Sequence, residues 1–175
     1  MNHRVTSKEQ ILEQAMAIAL NEGIDKISIR KVAGVCNIAI GSIYNYFPNK
    51  EALTLAITEQ FWAKVLENQD KIYRRGMGFT MFLEQYYHFL YGRLHKYDKS
   101  WIKEMDHQVA NLDAICMLKS VLKKDRRVND AIWNMELNED AFCEYVLVNI
   151  MALLRAGESN CRFFIFLIEH LLYDV

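Results

Sequence analysis

Turn-forming residues are scarce in this sequence of 175 residues, which contains seven glycines and one proline. Average usage would supply about 21 residues of these two types in a chain of this length. Sheet-forming folds need many tight turns, and tight turns depend on Gly and Pro, so the scarcity predicts an all-α fold. Because 52% of the residues are hydrophobic and 25% are charged, the composition also excludes a disordered chain.

Capping signals predict three short helices in the first 50 residues. Thr6 and Ser7 begin overlapping capping boxes ahead of the first helix, and Gly23 ends that helix. Ser28 is the expected N-cap of the second helix, and Asn37 is its expected left-handed C-cap. A tight turn between a second and a third short helix is typical of a helix-turn-helix.

The third helix, expected over residues 39–46, has two different sides. At ~100° per residue, Ile40, Ile43 and Phe47 share one side, which we expect to face the core. The other side centres on small or hydrogen-bonding residues flanked by two tyrosines: Gly41, Ser42 and Asn45, with Tyr44 and Tyr46 beside them. Such a side suits the major groove of DNA, because Gly allows close approach and the polar groups can bond to bases or phosphates.

Basic residues stand at the margins of this polar side, although the net charge of −1 gives no overall field that attracts nucleic acid. Arg30 and Lys31 lie on the second helix and Lys50 follows Pro48, at places where phosphates would lie. The alternative interpretation is that the aromatic residues are core and the basic residues form a solvated surface. Helix-turn-helix units also occur in proteins that bind no DNA.

Residues 7–53 resemble the DNA-binding domain of the TetR family of bacterial transcriptional regulators. The most specific match is the stretch 40–53, IGSIYNYFPNKEAL, and the first helix ending at Gly23 and the second helix beginning at Ser28 are also similar. The resemblance implies that four residues set which DNA sequence is read: Arg30, Ala39, Ser42 and Asn45. Departures from the family pattern lie off the exposed side of the third helix: Ala19, Lys31, Asn37 and Ala39.

After residue 50 the sequence consists of long amphipathic segments that are rich in aromatic residues. We expect helices at about 49–72, 77–96, 100–109, 112–134, 138–155 and 159–173. The chain is therefore expected to form a helix-turn-helix DNA-binding domain over residues 1–50 and a larger helical domain over residues 51–175. The helix that begins at residue 49 would connect the two domains.

The last helix is apolar nearly all round, which is typical of a helix buried on two sides. The resemblance implies a homodimer formed through the last two helices, as a four-helix bundle about a two-fold axis. The residues expected at this interface are Phe142, Tyr145, Asn149, Phe163, Phe164, Phe166, Leu167 and His170. The alternative is a fully buried core helix in a monomer.

Large, adaptable side chains are frequent in the middle of the chain. The resemblance implies a pocket for a small-molecule inducer among these helices, and aromatic residues with Met suit an apolar or cationic aromatic ligand. The candidate pocket residues are Phe61, Trp62, Tyr86, Phe89, Trp101, Met105, Met117 and Trp133. Taken singly, each residue of this kind is more often part of the core than of a pocket.

The sequence gives no sign of a metal site, a cofactor, a catalytic centre or a membrane span. The four cysteines are far apart and form no C-x-x-C pair, so we expect them to be buried in a reducing compartment. His88, His95 and His107 lie on different segments and do not form a set with the spacing of metal ligands. Catalytic motifs are absent, although a helical enzyme could assemble a site from remote residues. Without a secretion signal, the chain is expected to be cytoplasmic.

The expected function is that of a ligand-responsive DNA-binding transcriptional regulator. As a dimeric repressor it would leave a palindromic operator when a small-molecule inducer binds, and an activator role is also possible. The alternative is a helical protein-interaction module that binds no DNA. Salt-dependent binding to duplex DNA distinguishes the two, because only phosphate contacts release counterions.

Overall fold

The computed structural model describes residues 7–97, 111–128, 133 and 138–173. The regular structure of these residues is helical and contains no strand, which confirms the all-α prediction. The α-helices of the described ranges are α1 (Lys8–Glu22), α2 (Ile29–Cys36), α3 (Ile40–Tyr44), α4 (Lys50–Val65), α5 (Phe79–Leu94), α6 (Asn111–Leu122), α7 (Glu139–Ala156) and α8 (Arg162–Tyr173). None of the described helices is long and apolar enough to cross a membrane.

The described residues form two compact units that divide after Val65. Residues 7–65 and Tyr97 belong to the first unit, and the other described residues belong to the second. Helix α4 therefore packs with the first unit, beyond the division expected at residue 50. The prediction of one helix over 49–72 is wrong at its end, because Asn68 adopts a left-handed conformation with φ 66° that an α-helix does not continue.

The predicted caps of the first two helices are confirmed. Ser7 Oγ accepts a hydrogen bond from the Gln10 amide at 3.2 Å, and the Gln10 side chain accepts one from the Ser7 amide, which completes a capping box. Ser28 Oγ accepts from the Lys31 amide at 3.2 Å at the start of α2. Asn37 ends α2 with φ 53° and ψ 46°. These local signals fix where α1 begins and where α2 begins and ends.

The core of the first unit lies where α1 packs against α2 and α4. Apolar residues spaced along one side of each helix are buried there: Ile11, Ala15, Ala19, Val32, Ile43, Phe47, Leu53 and Ile57. Helix α4 begins at the predicted place, because Asn49 Oδ1 accepts a hydrogen bond of 2.7 Å from the Ala52 amide. Helix α3 packs against α2.

The second unit packs α6 against α7 and α5 against α8. The helix predicted over 112–134 is too long, since α6 ends at Leu122. The chain turns there and buries Asp125, whose carboxylate accepts a hydrogen bond of 2.8 Å from the Phe79 amide. The helix expected over 100–109 lies outside the described residues.

Three of the four cysteines are buried as the sequence analysis predicts. These are Cys36, Cys143 and Cys161. Cys116 is the exception: it is exposed on α6, because the buried side of that helix runs through Ala114 and Leu118. The expectation that all four thiols lie in the core is therefore wrong for Cys116.

Candidate functional site

Helix α3 presents most of its side chains to solvent. Ala39 precedes it in an extended conformation without a side-chain cap, and Ile43 anchors it in the core. The chain leaves the helix after Tyr44, and the amide of Phe47 donates a hydrogen bond of 2.9 Å to the Ile43 carbonyl. This turn brings the Phe47 ring into the core. Five of the residues predicted to contact DNA have exposed side chains here or, for glycine, an exposed backbone: Ala39, Gly41, Tyr44, Asn45 and Tyr46.

The exposed side of α3 is rotated from its predicted direction. Ile40, which we expected in the core, is 41% exposed, and Ser42 is half-buried. The reason is that Ile43 alone sets the buried direction within this five-residue helix, since Phe47 reaches the core from the following turn. The exposed side therefore centres on Gly41 and Tyr44, with Ile40 at its edge.

The basic residues near α3 differ in their surroundings. Arg30 and Lys50 are exposed, and neither forms an ion pair with another described residue. Lys31, in contrast, is ion-paired with Glu22 at the end of α1. The structure thus leaves Arg30 and Lys50 available to an anionic partner, whereas Lys31 has a competing partner in its own unit.

Lys8 is a basic residue that the sequence analysis missed. Its ammonium lies 5.5 Å from the centre of the Phe47 ring, just after α3. No local pattern could have revealed this proximity, because the two residues are far apart in the sequence and meet only when α1 packs on the unit. Lys8 thus forms a cation–π contact that joins the start of α1 to the turn after α3.

Helices α7 and α8 expose apolar side chains on the second unit. The exposed residues are Tyr145, Val148, Phe163, Phe166, Leu167 and Leu171, and Phe163 is 74% exposed. The half-buried Asn149 and the exposed His170 lie on the same helices, and each side chain is hydrogen-bonded to the carbonyl four residues earlier. Phe142 and Phe164 were also expected at the interface, but both are buried inside the unit, against its own helices.

The described candidate pocket residues are divided between the two units. Phe61 and Trp62 are buried in the first unit. Tyr86 and Phe89 stack on α5 with ring centres 6.4 Å apart, in the second unit. Trp101 and Met105 lie outside the described residues.

The two remaining pocket candidates are half-buried in the second unit. Met117 lies on α6, and the Trp133 ring meets the Phe142 ring edge-on, with the ring centres 5.5 Å apart. The described residues contain no group of three or more His, Cys, Asp or Glu side chains that could hold a metal ion.

Sequence comparison identifies related proteins for the N-terminal part of the chain. Residues 11–57 match the family model of bacterial regulatory proteins, tetR family. The uncharacterized HTH-type transcriptional regulator YuxN of Bacillus subtilis is 35% identical over 54 residues, which are 31% of this chain and 19% of that protein. The HTH-type transcriptional repressor KstR of Mycobacterium tuberculosis is 30% identical over 64 residues, which are 37% of this chain and 29% of that protein. The matched segments thus span less than a third of either relative.

Structural comparison extends the likeness to nearly the whole chain. Mycobacterium smegmatis BioQ superposes with a TM-score of 0.60 at 16% identity, covering 94% of this chain and 86% of that one. A TetR-like transcriptional regulator from Rhodococcus sp. RHA1 superposes with a TM-score of 0.56 at 17% identity, covering 93% and 91%. At this level of identity the likeness is one of fold. The match to the tetR family model is thus confined to residues 11–57, and the solved structures add a shared fold over nearly the whole chain.

Proposed function

We propose that this chain is a DNA-binding transcriptional regulator that reads operator DNA with helix α3. The observation that carries the proposal is the exposed side of α3, where Gly41, Tyr44 and Asn45 face solvent within the segment that matches the family model. A Cβ added at Gly41 would meet no atom within 4 Å, so the backbone is open to close approach there. A helix with this side fits the width of the major groove.

The residues of this surface would make different kinds of contact with the DNA. Arg30 and Lys50 would contact phosphates, with the Tyr44 and Tyr46 hydroxyls as further donors. Asn45 would bond to a base edge, and Ser42 would contribute where its half-buried hydroxyl reaches the groove. Ala39 would lie beside the DNA at the start of α3, and Lys31 would have to leave Glu22 to reach a phosphate.

The exposed apolar residues of α7 and α8 favour a homodimer. Several large apolar side chains exposed on two successive helices are typical of a contact between subunits. A two-fold dimer would present two copies of α3 to successive major grooves, ~34–36 Å apart on one face of B-DNA. The operator of such a protein is palindromic, and the protein acts on it in the cytoplasm.

The proposed regulation is release of the operator by a small-molecule inducer, apolar or aromatic in character. Tyr86, Phe89, Met117 and Trp133 are the described candidates of the second unit for its binding. The inducer relieves repression if it binds more tightly to the dimer whose two α3 helices do not fit the DNA, because only differential affinity shifts such an equilibrium. KstR, one of the sequence relatives, is named a repressor, which favours repression over activation here.

Binding of the full-length protein to duplex DNA tests this function. We expect selection from a random duplex pool to enrich a palindromic sequence, and the affinity for it to fall steeply with salt concentration. Asn45→Ala should bind the enriched and random duplexes more equally, whereas Met81→Ala, at an exposed position on α5, should bind as the wild type does. If no sequence is enriched and binding does not depend on salt, the protein is an interaction module for other proteins. If a sequence is enriched, mapping the binding sites across the genome would point to the inducer through the neighbouring genes.

A further inference from the structure

Ile40 is the large aliphatic residue that helix α3 exposes to solvent. It is the first residue of α3, and 41% of its surface is exposed although its spacing predicted a core position. Tyr44 follows it by one helical turn, so the two side chains are neighbours on the same side of the helix. The aliphatic side chain of Ile40 therefore lies at the edge of the proposed DNA-reading surface.

Exposure alone does not give Ile40 a function, because single apolar residues are common on protein surfaces. The residues around Ile40 do indicate a function. Gly41 beside it leaves open space for a close partner, and the same unit carries the exposed basic residues Arg30 and Lys50. A partner that approaches this closely and is held by positive charge would cover Ile40, and that partner must offer an apolar group at this place.

The major groove offers one apolar group, the C5-methyl of thymine. Given the proposed function, we infer that Ile40 is a specificity-determining residue that reads thymine by packing against this methyl group. Isoleucine has no hydrogen-bonding group, so it cannot pair with the polar edge of another base. Covering the amino group of cytosine with Ile40 would remove water from a donor and give nothing in return. Ile40 thus favours thymine over cytosine at one position of each half-site.

The size of the effect follows from the burial of one methyl group. Removal of a contacted methyl should weaken binding about fourfold, and about fifteenfold when it is removed from both half-sites of a palindrome. This preference is separate from the hydrogen bond that Asn45 would make to another base. The two residues can therefore be tested independently.

The experiment uses the full-length protein and duplexes enriched from a random pool. Each thymine of the enriched duplex is replaced in turn by deoxyuridine, which lacks only the methyl group, and the dissociation constant is measured for the wild type, Ile40→Ser and Ile40→Val. We expect one thymine in each half-site whose replacement weakens wild-type binding about fourfold. For Ile40→Ser the same replacement should have no effect, and for Ile40→Val the effect should be retained.

Leu55→Ser provides the matched control, since Leu55 is an exposed apolar residue of α4 in the same unit. It should keep the wild-type response to deoxyuridine, and circular dichroism should show that all the variants are folded. The inference is overturned if no methyl group of the enriched duplex affects the dissociation constant, or if the methyl effect has the same size in Ile40→Ser as in the wild type. Either result would leave DNA binding intact. Failure to enrich any duplex would instead overturn the proposed function, and this inference with it.

Discussion

The hydroxyl of Tyr173 donates a hydrogen bond of 2.5 Å to Oδ2 of Asp125, which joins the C-terminal end of α8 to the turn after α6. The Asp125 side chain is 3% exposed and also accepts hydrogen bonds from the Phe79 amide at 2.8 Å and from the Arg127 guanidinium at 3.0 Å. One buried carboxylate therefore connects three parts of the second unit. Helix α8 also carries Phe163 and other exposed apolar residues. The cluster therefore holds in place part of the surface proposed for dimerisation.

Removal of the Asp125 carboxylate should destabilise the protein strongly. Asp125→Ala leaves the Phe79 amide without its buried acceptor, and we expect the free energy of unfolding to fall by about 2–3 kcal/mol. Tyr173→Phe removes one hydrogen bond to the charged group and should lower it by about 1.5–3 kcal/mol. Denaturant unfolding measures both, with Tyr44→Phe as the control at an exposed tyrosine. Losses that simply add in the double variant would show that the two side chains are not coupled.

The same cluster predicts a loss of stability in acid. Burial by itself raises the pKa of the Asp125 carboxyl, but the hydrogen bonds from Arg127, Tyr173 and the Phe79 amide outweigh burial and hold that pKa well below its ordinary value. A pKa lowered in the folded state means that the stabilisation is present above the unfolded value of about 3.9 and is lost as pH falls towards the folded value.

The acid dependence can be measured as the urea midpoint between about pH 6 and pH 2. We expect the wild-type midpoint to fall steeply below about pH 4, whereas Asp125→Asn should start lower and change less over the same range. Parallel curves for the two proteins would mean that other carboxyl groups account for the acid sensitivity.

The sequence was informative where structure depends on near neighbours. Ser28 and Asn37 could be recognised as caps because a helix end is decided by a few adjacent residues. The pairing of Asp125 with Tyr173, and of Lys8 with the Phe47 ring, could not be predicted, since each depends on how separate helices pack. Ile40 was misplaced because ideal periodicity assumes a longer helix than the five residues of α3. Most of the exposed residues of α3 could be predicted from the sequence. The residues at the centre of its exposed side could not.

The four cysteines should differ sharply in reactivity. Burial raises the pKa of Cys143 to about 12 and that of Cys161 to about 11, and it also raises the pKa of Cys36. Cys116 is exposed on α6. We expect a thiol reagent at about pH 8, near the ordinary pKa of a free thiol, to modify one cysteine of the native protein and all four after unfolding in urea. Cys116→Ser should abolish the native reaction, and rapid modification of a second thiol would contradict the burial described.

Two lysines near α3 should contribute unequally to DNA binding. Lys50 is exposed without an ion pair among the described residues, so Lys50→Ala should weaken binding to all duplexes alike and reduce the salt slope by about 1. Lys31→Ala should have a smaller effect, because the Lys31 ammonium is already paired with Glu22. Titrations by fluorescence anisotropy at several salt concentrations give both slopes. An equal loss in the two variants would indicate that Lys31 exchanges Glu22 for a phosphate when DNA binds.

The last prediction concerns assembly through the apolar surface of α7 and α8. Phe163 is 74% exposed, and burial of a single Phe against a partner should contribute roughly 2 kcal/mol to association. We expect the wild type to be a homodimer at micromolar concentration, and Phe163→Glu to split it. Met81→Glu, at an exposed position on α5, should leave the dimer intact.

Sedimentation equilibrium checks the assembly state, and DNA titrations of the same samples check its consequence. Phe163→Glu should lose operator affinity together with the dimer, because one α3 helix contacts only half of a palindromic site. The substitution lies in the second unit, whereas α3 lies in the first. A wild-type mass of 20.6 kDa at micromolar concentration would refute the dimer. A monomeric Phe163→Glu that still binds the full operator with wild-type affinity would refute the requirement for two reading helices.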